Sequence, residues 1–196
     1  YSQDLCNKNN FAKFIASIKP NKMKRSELNP MPKYFDRYIA LADDVELMDA
    51  LQISLEELEN APIDKWKALG ERVYEPGKWT IKDLLQHMID TERVFAYRAM
   101  SFARQDTQRM LGFGEDLFSA NAQANRRTID ELYEEWLHVR KSYILMFKSF
   151  TDEMLLTIGN AYSSEYSVAS MGFMIPGHQR WHFKVLEERY FPLLDN

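Results

Sequence analysis

The longest uninterrupted helical pattern in the chain begins at Thr80, and it constrains the fold most. From Thr80 to Leu111 there is no glycine or proline, and the apolar residues recur at intervals of three and four. This spacing places them on one face of a helix, whereas a half-buried strand would alternate. Thr80 can cap the helix, with Asp83 at its third position. The chain must therefore bury one face of a long helix, formed by Ile81, Leu84, Leu85, Met88, Phe95, Ala99 and Phe102.

Three further segments carry the same helical spacing. Residues 44–60 form one amphipathic pattern. Another begins at Thr128, where Glu131 completes a capping-box pattern, and its apolar face extends to Phe150. The last begins at Ser167 and runs to the neighbourhood of Pro192. We find no strand signals, so the four helices predict an all-α protein folded as a four-helix bundle.

A proline inside the last helical pattern leaves two interpretations open. Pro176 lacks a backbone donor and frees the carbonyl of Gly172, so a helix starting at Ser167 should kink one turn before His178. Alternatively, the helix begins at Pro176. Pro192 ends the helix in either case.

The segments outside the helices suggest how the domain is bounded. We interpret residues 1–34 as an N-terminal extension and lead-in, with residues 1–22 as a tail, and residues 35–196 as the four-helix bundle. Prolines and charges before residue 37 favour an extended lead-in. The polar connection over residues 105–127 is longer than most links between helices. Because long loops in compact domains are often functional, we expect it to border a ligand site.

Composition narrows the classes of function. A chain of 196 residues can bury one sizeable core, and a net charge of −4 gives no field that would attract nucleic acid. Its one cysteine, Cys6, has no disulfide partner and no recognisable activator. No apolar run approaches the roughly 18 residues of a membrane span. We expect a soluble cytoplasmic protein that binds neither nucleic acid nor membrane.

Two histidines one helical turn apart are the first candidates for chemistry. His178 and His182 lie on one helix face, so both imidazoles can reach one cation, although a hydrogen-bonded pair in the core would have the same spacing. His87 lies on the flank of its helix in a row with Thr91, Val94 and Arg98, where a side chain would point into a cleft between helices. Three neutral imidazoles would leave cation positions open, as in catalytic zinc sites. His138 lies off the apolar face of its helix, and we expect it to be solvated.

Four other residues could serve either the candidate site or the structure of the bundle. Glu92 falls within an apolar stripe; it is a weak candidate for a general acid or base, and the competing interpretation is a buried structural carboxylate paired with an arginine. Arg98 lies about 16 Å along the helix from His87, so we expect a structural ion pair rather than a role at the same metal. We expect Met88 and Trp181, which are next to the candidate ligands, to belong to the core.

Three motifs together resemble one known family. The stretch Trp79-Thr80-Ile81-Lys82-Asp83-Leu84-Leu85-Gln86-His87-Met88-Ile89-Asp90-Thr91-Glu92-Arg93 is similar to the second helix of the DinB-like, or YfiT-like, superfamily. Gly177-His178-Gln179-Arg180-Trp181-His182, followed by Leu186-Glu187-Glu188-Arg189-Tyr190, is similar to its last helix, and Gly112-Phe113-Gly114-Glu115-Asp116 also fits. The resemblance extends over roughly residues 35–192. Trp181 departs from the pattern, because many relatives carry a histidine there, and Pro176 is a second departure.

The resemblance implies a fold, a metal site and two classes of reaction. The family fold is an up-down-down-up four-helix bundle, commonly dimeric, in which three histidines hold a divalent cation. That role transfers to His87, His178 and His182. Zinc and nickel are the first candidates for the metal and iron is a further one, because imidazoles accept all of these. Relatives include metal-dependent hydrolases and transferases or isomerases that use low-molecular-weight thiols.

These observations lead to two alternative functions. In the first, the protein is a metal-dependent hydrolase or thiol S-transferase, in which the cation lowers the pKa of a bound water or thiol that attacks a small electrophile held near the 105–127 connection. In the second, it is a non-catalytic, stress-related dimeric bundle that binds a ligand or partner.

Overall fold

The structure is a computed structural model that describes residues 23–195. The predicted tail over residues 1–22, including Cys6, lies outside the described residues. Within the described range the chain forms eight α-helices and one β-hairpin. None of these helices is long and apolar enough to cross a membrane. The elements are α1 Asp36–Ile39, α2 Leu47–Glu59, α3 Ile63–Leu69, α4 Ile81–Ala103, α5 Glu115–Ala122, α6 Ile129–Lys148, α7 Asp152–Leu156, β1 Ile158–Ala161, β2 Ser164–Ser167 and α8 Val168–Val185.

The four long helices α2, α4, α6 and α8 form the predicted up-down-down-up bundle. Helix α4 packs against α6 and α8, and α2 packs against the same two helices. Each long helix therefore has two principal neighbours, and the chain crosses the bundle between α2 and α4. All seven residues of the predicted α4 face are buried. The sequence periodicity identified the four bundle helices correctly.

Side-chain caps fix where three of these helices begin. Thr80 Oγ1 accepts a hydrogen bond from the Asp83 amide at 3.2 Å, and the Asp83 carboxylate accepts one from the Thr80 amide at 3.0 Å. Thr128 and Glu131 form the same reciprocal arrangement at the start of α6. Ser167 Oγ accepts from the amide of Ser170, so α8 starts where predicted. These bonds satisfy amides that have no partner within the helix.

Several short elements were not predicted. The antiparallel pair β1 and β2 contradicts the expectation of no strands, and α5 lies inside the predicted polar connection over residues 105–127. A 3₁₀ turn at Arg25–Glu27 and α1 likewise interrupt the predicted extended lead-in. Strands of four residues are too short to show a clear alternation of apolar and polar residues. Tertiary contacts support the hairpin instead, because Met110 exchanges backbone hydrogen bonds with Asn160 and Tyr162 at 3.0 and 2.9 Å.

Helix α8 is continuous through its proline. It runs from Val168 to Val185 with Pro176 inside it, so the alternative start at Pro176 is wrong. A π-helical segment, Leu186–Tyr190, and a 3₁₀ turn follow it. Helix α8 meets α1 at Gly177, the residue after Pro176, because a Cβ added there would overlap the carbonyl oxygen of Tyr38. This close approach brings α1 beside the histidines of α8.

The interior of the bundle contains two apolar clusters separated by polar side chains. One cluster includes Leu55, Phe95 and Tyr143, and the other includes Leu58 and Ile89. The side chains between them are fully buried and come one from each long helix: Ser54, Glu92, Arg140 and Gln179.

Candidate metal centre

The fold brings together the three histidines that the sequence selected. His87 comes from α4, and His178 and His182 come from successive turns of α8. The Nε2 atoms of His87 and His178 are 3.2 Å apart, and those of His182 and His178 are 3.0 Å apart. One ring nitrogen from each residue lies within 4.8 Å of the other two. The flank position predicted for His87 is therefore the one that faces α8.

Burial keeps all three imidazoles neutral. It lowers the pKa of His87 from its ordinary value of 6.5 to about 4 and that of His182 to about 3. The pKa of His178 falls well below its ordinary value, first through burial and then through repulsion from His182, His87 and Arg140. Neutral imidazole is the form that binds a metal ion, so the histidines are ready to act as ligands at neutral pH.

The arrangement suits a cation better than it suits a hydrogen-bonded trio. A nitrogen of neutral imidazole has either one N–H or one lone pair, so His178 Nε2 can make a full hydrogen bond with only one of its two neighbours, whichever tautomer it adopts. Tetrahedral zinc with Zn–N bonds of about 2.0–2.1 Å separates its ligand nitrogens by roughly 3.3 Å, close to the two distances given above. The Nδ1 atoms of His87 and His182 are buried and have no hydrogen-bond partner among residues 23–195. No acceptor in that range therefore fixes the tautomer of either imidazole.

Two of the three histidines, His87 and His178, line a cavity of about 610 Å³. This volume is in the range of small-molecule sites. The 105–127 connection lines it from Gly112 to Leu117, as the sequence suggested, and the hairpin contributes a further wall. Aromatic rings shield His87, with the Trp79 ring centroid 4.8 Å and the Phe113 ring centroid 6.5 Å from that of the imidazole. The cavity is lined by Tyr34, Phe35, Tyr38, His87, Thr91, Phe95, Arg98, Gly112, Phe113, Gly114, Glu115, Asp116, Leu117, Tyr162, Ser163, Ser164, Tyr166, Met174 and His178.

The Glu92 carboxylate, which lies in an apolar stripe, is paired with an arginine. The Arg140 Nε donates to its carboxylate at 2.6 Å, and the Trp136 indole N–H donates at 2.9 Å. Arg140 also donates to Ser54 Oγ and to Gln179 Oε1, both at 2.8 Å. The carboxylate does not line the cavity. Its environment is that of the structural alternative, a buried carboxylate paired with an arginine.

Other predicted positions have mixed outcomes. The expected ion pair of Arg98 is wrong within residues 23–195, where its hydrogen bond goes to the carbonyl of Leu111 at 2.9 Å. Met88 is buried as expected, but Trp181 is 37% exposed and is not a core residue. It lies at the edge of α8, with its ring centroid 5.4 Å from that of Tyr38. His138 is exposed, as predicted, and contacts the carbonyl of Glu134.

Sequence reasoning did not identify Tyr38 and Glu115 as site residues. The Tyr38 ring meets that of His178 edge to face, with centroids 5.3 Å apart. Glu115 lies at the start of α5 beside the cavity, where burial and then Asp116 raise its pKa. The signal for Glu115 was its place in the glycine-rich stretch of the connection, whereas α1 was too short to be recognised.

Comparison with known proteins agrees with this arrangement. The family model described as DinB superfamily matches residues 20–186. Among solved structures, the chain is similar to YfiT from Bacillus subtilis, which is described as a probable metal-dependent hydrolase with an unusual four-helix bundle topology. The TM-score is 0.56 at 12% identity, over 79% of this chain and 84% of that one, so the likeness concerns the fold. No curated protein matches the chain. Because the family model spans most of its length, the chain belongs to the DinB superfamily.

Proposed function

We propose that this protein is a metal-dependent enzyme, a hydrolase or a thiol-dependent transferase, with a divalent transition metal held by His87, His178 and His182. The observation that carries the proposal is the convergence of three neutral imidazoles, two of which, His87 and His178, line a cavity. Zinc and nickel are the first candidates for the metal and iron is a further one, since nitrogen ligands alone do not select among them. The description of YfiT as a probable metal-dependent hydrolase supports the hydrolytic alternative.

The chain contributes three ligands, aromatic rings beside them and space for a substrate. A divalent cation with open positions supplies a Lewis acid and lowers the pKa of a water or thiol bound to it. Trp79 and Phe113 place apolar rings beside His87, and an apolar surround strengthens electrostatic interactions at a metal. The cavity orients an electrophile between the bundle and the connection from Gly112 to Leu117.

The proposal also includes the biological setting. The family resemblance favours a cytoplasmic homodimer that takes a low-molecular-weight thiol and a small electrophilic substrate. A net charge of −4 and scattered basic residues argue against a nucleic-acid substrate.

Metal analysis tests the proposed site. Protein prepared without chelators or a histidine tag should contain roughly one equivalent of a transition metal, and His178→Ala should contain less than about a tenth. Adding zinc to metal-free protein at about 100 times the dissociation constant should stabilise it by about 2.7 kcal/mol and raise its Tm. His138→Ala is the matched control, because His138 is exposed and outside the cluster. Wild-type protein with neither bound metal nor a Tm increase would rule the site out.

A second assay separates the enzyme from the non-catalytic binding module. The metal-loaded protein is incubated with a panel of low-molecular-weight thiols and small electrophiles, including esters and amides for hydrolysis. Turnover that disappears in His178→Ala but persists in His138→Ala supports the enzyme. Stoichiometric metal without turnover that depends on His178 favours the binding module.

A further inference from the structure

Arg98 is a buried guanidinium that faces the cavity. Arg98 is only 5% exposed, and burial lowers the pKa of its guanidinium. Among residues 23–195 its one hydrogen bond is the donation from NH2 to the Leu111 carbonyl, and no carboxylate lies within ion-pairing distance. A guanidinium has five N–H donors, so most of its hydrogen-bonding capacity is available to a ligand.

Arg140, the other deeply buried arginine, has hydrogen-bond partners around its guanidinium. Arg140 is fully buried and contacts the carboxylate of Glu92, the hydroxyl of Ser54 and the amide oxygen of Gln179. Within the described residues Arg98 lacks such an anion, although its guanidinium carbon lies 5.1 Å from the centroid of the Phe95 ring in a cation–π contact. Burying a cation without an anion is costly, because such a contact offsets less of the lost hydration than a carboxylate does. An anionic ligand in the cavity would give Arg98 the partner that Glu92 gives Arg140.

Thr91 provides a second and independent sign of a ligand. It is 4% exposed, it lines the same cavity, and its hydroxyl has no hydrogen-bond partner in the described part of the chain. It lies one turn after His87 and two turns before Arg98 on the same face of α4. Long side chains in helices lean toward the N-terminus, so the guanidinium leans from Arg98 toward Thr91.

We propose that Arg98 and Thr91 form a recognition subsite for an anionic group, a carboxylate or phosphate, on the substrate whose reacting end lies at the three histidines. The inference rests on the proposed function, which places the reacting end of the substrate at the three histidines. The Cα atoms of His87 and Arg98 are separated by about 16 Å along the helix, and the lean of the Arg98 side chain toward Thr91 shortens the distance that the substrate must span, so several bonds separate its two ends. A cavity of about 610 Å³ has room for such a molecule.

The charges around the cavity favour one orientation of this substrate. Glu115 and Asp116 also line it, and Glu115 interacts electrostatically with Tyr38, whose ring contacts His178. These carboxylates repel an anion on the α5 side. Arg98 is instead close to Tyr166 and to Leu111. An anionic end is therefore attracted toward Arg98, and the uncharged reacting end remains near the histidines.

The first test uses metal-free full-length protein and does not depend on metal binding. Alkanoic acids of increasing chain length are titrated by NMR, each against the alkanamide of the same length. The acid that fits best should bind at least about 10-fold more tightly than its amide, as expected for a charge-assisted contact. A parallel titration with alkyl phosphates shows whether the subsite prefers a phosphate or a carboxylate.

Variants identify the residues responsible. Arg98→Gln should remove the acid preference and leave amide binding unchanged, while Arg98→Lys should retain part of the preference. Thr91→Val should reduce it by a few-fold. Arg93→Gln is the matched control, because Arg93 is on the same helix but pairs with Glu135 outside the cavity. Equal binding of acid and amide by wild type, or equal losses for both in Arg98→Gln, would overturn the subsite.

A second measurement links the subsite to the histidines. Cobalt-loaded protein is titrated with mercaptoalkanoic acids and mercaptoalkanamides, and binding of the thiol is followed by thiolate-to-cobalt charge-transfer absorption. One chain length should show an acid preference that depends on Arg98. If cobalt does not bind, the proposed metal site fails, while the acid preference of metal-free protein still decides the subsite.

Discussion

Arg140 shows how single residues hold the interior of the bundle together. It connects Glu92 of α4 with Ser54 of α2 and Gln179 of α8, so its hydrogen bonds reach all three other long helices. Gln179 extends the network by donating to the Ser54 carbonyl at 3.0 Å. Such a layer favours one alignment of the helices, because a shifted alignment would leave buried polar groups unpaired.

Removing Arg140 alone should therefore be costly. Arg140→Met leaves the Glu92 carboxylate buried without its cation, and we expect the free energy of unfolding to fall by about 3–5 kcal/mol. Glu92→Met combined with Arg140→Met removes both charges and should be more stable than Arg140→Met alone. Urea denaturation of the single and double variants measures the difference.

Arg93→Met is the control for this comparison. The Arg93 side chain is half exposed and pairs with Glu135, so its removal should cost less than about 1 kcal/mol. A double variant whose loss equals the sum of the two single losses would show that Glu92 and Arg140 do not act as a pair.

At the scale of elements, the site depends on how α1 crosses α8. Gly177 permits the Tyr38 carbonyl to approach the helix, and the Tyr38 ring then contacts His178. The glycine just before His178 is therefore a packing requirement. A larger residue there must displace α1 or α8.

Gly177→Ala should be destabilising and should also disturb the candidate metal centre. Overlap of the new methyl group with the Tyr38 backbone should lower the free energy of unfolding by about 1–3 kcal/mol. Cobalt affinity should fall with it, because His178 follows directly. Urea denaturation and cobalt titration test both effects.

Gly114→Ala provides the matched glycine control. A Cβ at Gly114 would make only ordinary contact, 3.6 Å from Leu117, and its φ of −85° suits alanine. Its stability should change little. If Gly177→Ala matches wild type in stability and cobalt affinity, the close approach of α1 does not control the site.

The predictability of each element follows from its length and from its local signals. Thr80 and Thr128 marked two helix starts because a capping box lies within four residues of sequence. The hairpin and α1 carry too few residues for periodicity to be read. Met110 pairs with the hairpin across a distance in sequence that no local pattern reveals.

The candidate site, like the fold, was predictable from the sequence only in part. The helix wheel predicts only that His87 points into a cleft between helices, and the family resemblance is what assigns it as a ligand. The partner of Glu92 was not found, although Arg140 lies in the apolar row between Trp136 and Tyr143 and could have been noticed as a charge there. Trp181 was misassigned because periodicity cannot show where α8 reaches the edge of the bundle.

For the whole molecule, the buried histidines make the stability of the metal-free protein depend on pH. Above pH 6.5 they are neutral in both the native and the unfolded state. As the pH falls below 6.5, the unfolded imidazoles bind protons, whereas native His87, with its pKa of about 4, does not. The unfolded state then holds more protons, so stability falls with pH over the window from about 6.5 to about 4.

Urea denaturation of metal-free protein at several pH values measures this dependence. Each buried histidine should contribute a loss of roughly 1 kcal/mol between pH 7 and pH 5.5. His87→Gln should show a weaker dependence than wild type. A His87→Gln profile identical to that of wild type would contradict the burial of this imidazole.

The division of the cavity wall between two kinds of structure has a consequence for substitutions. The histidines and Arg98 belong to the long helices, whereas Gly112, Phe113 and Tyr162 belong to the segments that connect them. Connections accept substitutions and insertions at a smaller cost in stability than core helices do. Substitutions in the connections can therefore change the shape of the cavity while the helices keep the three histidines and Arg98 in place.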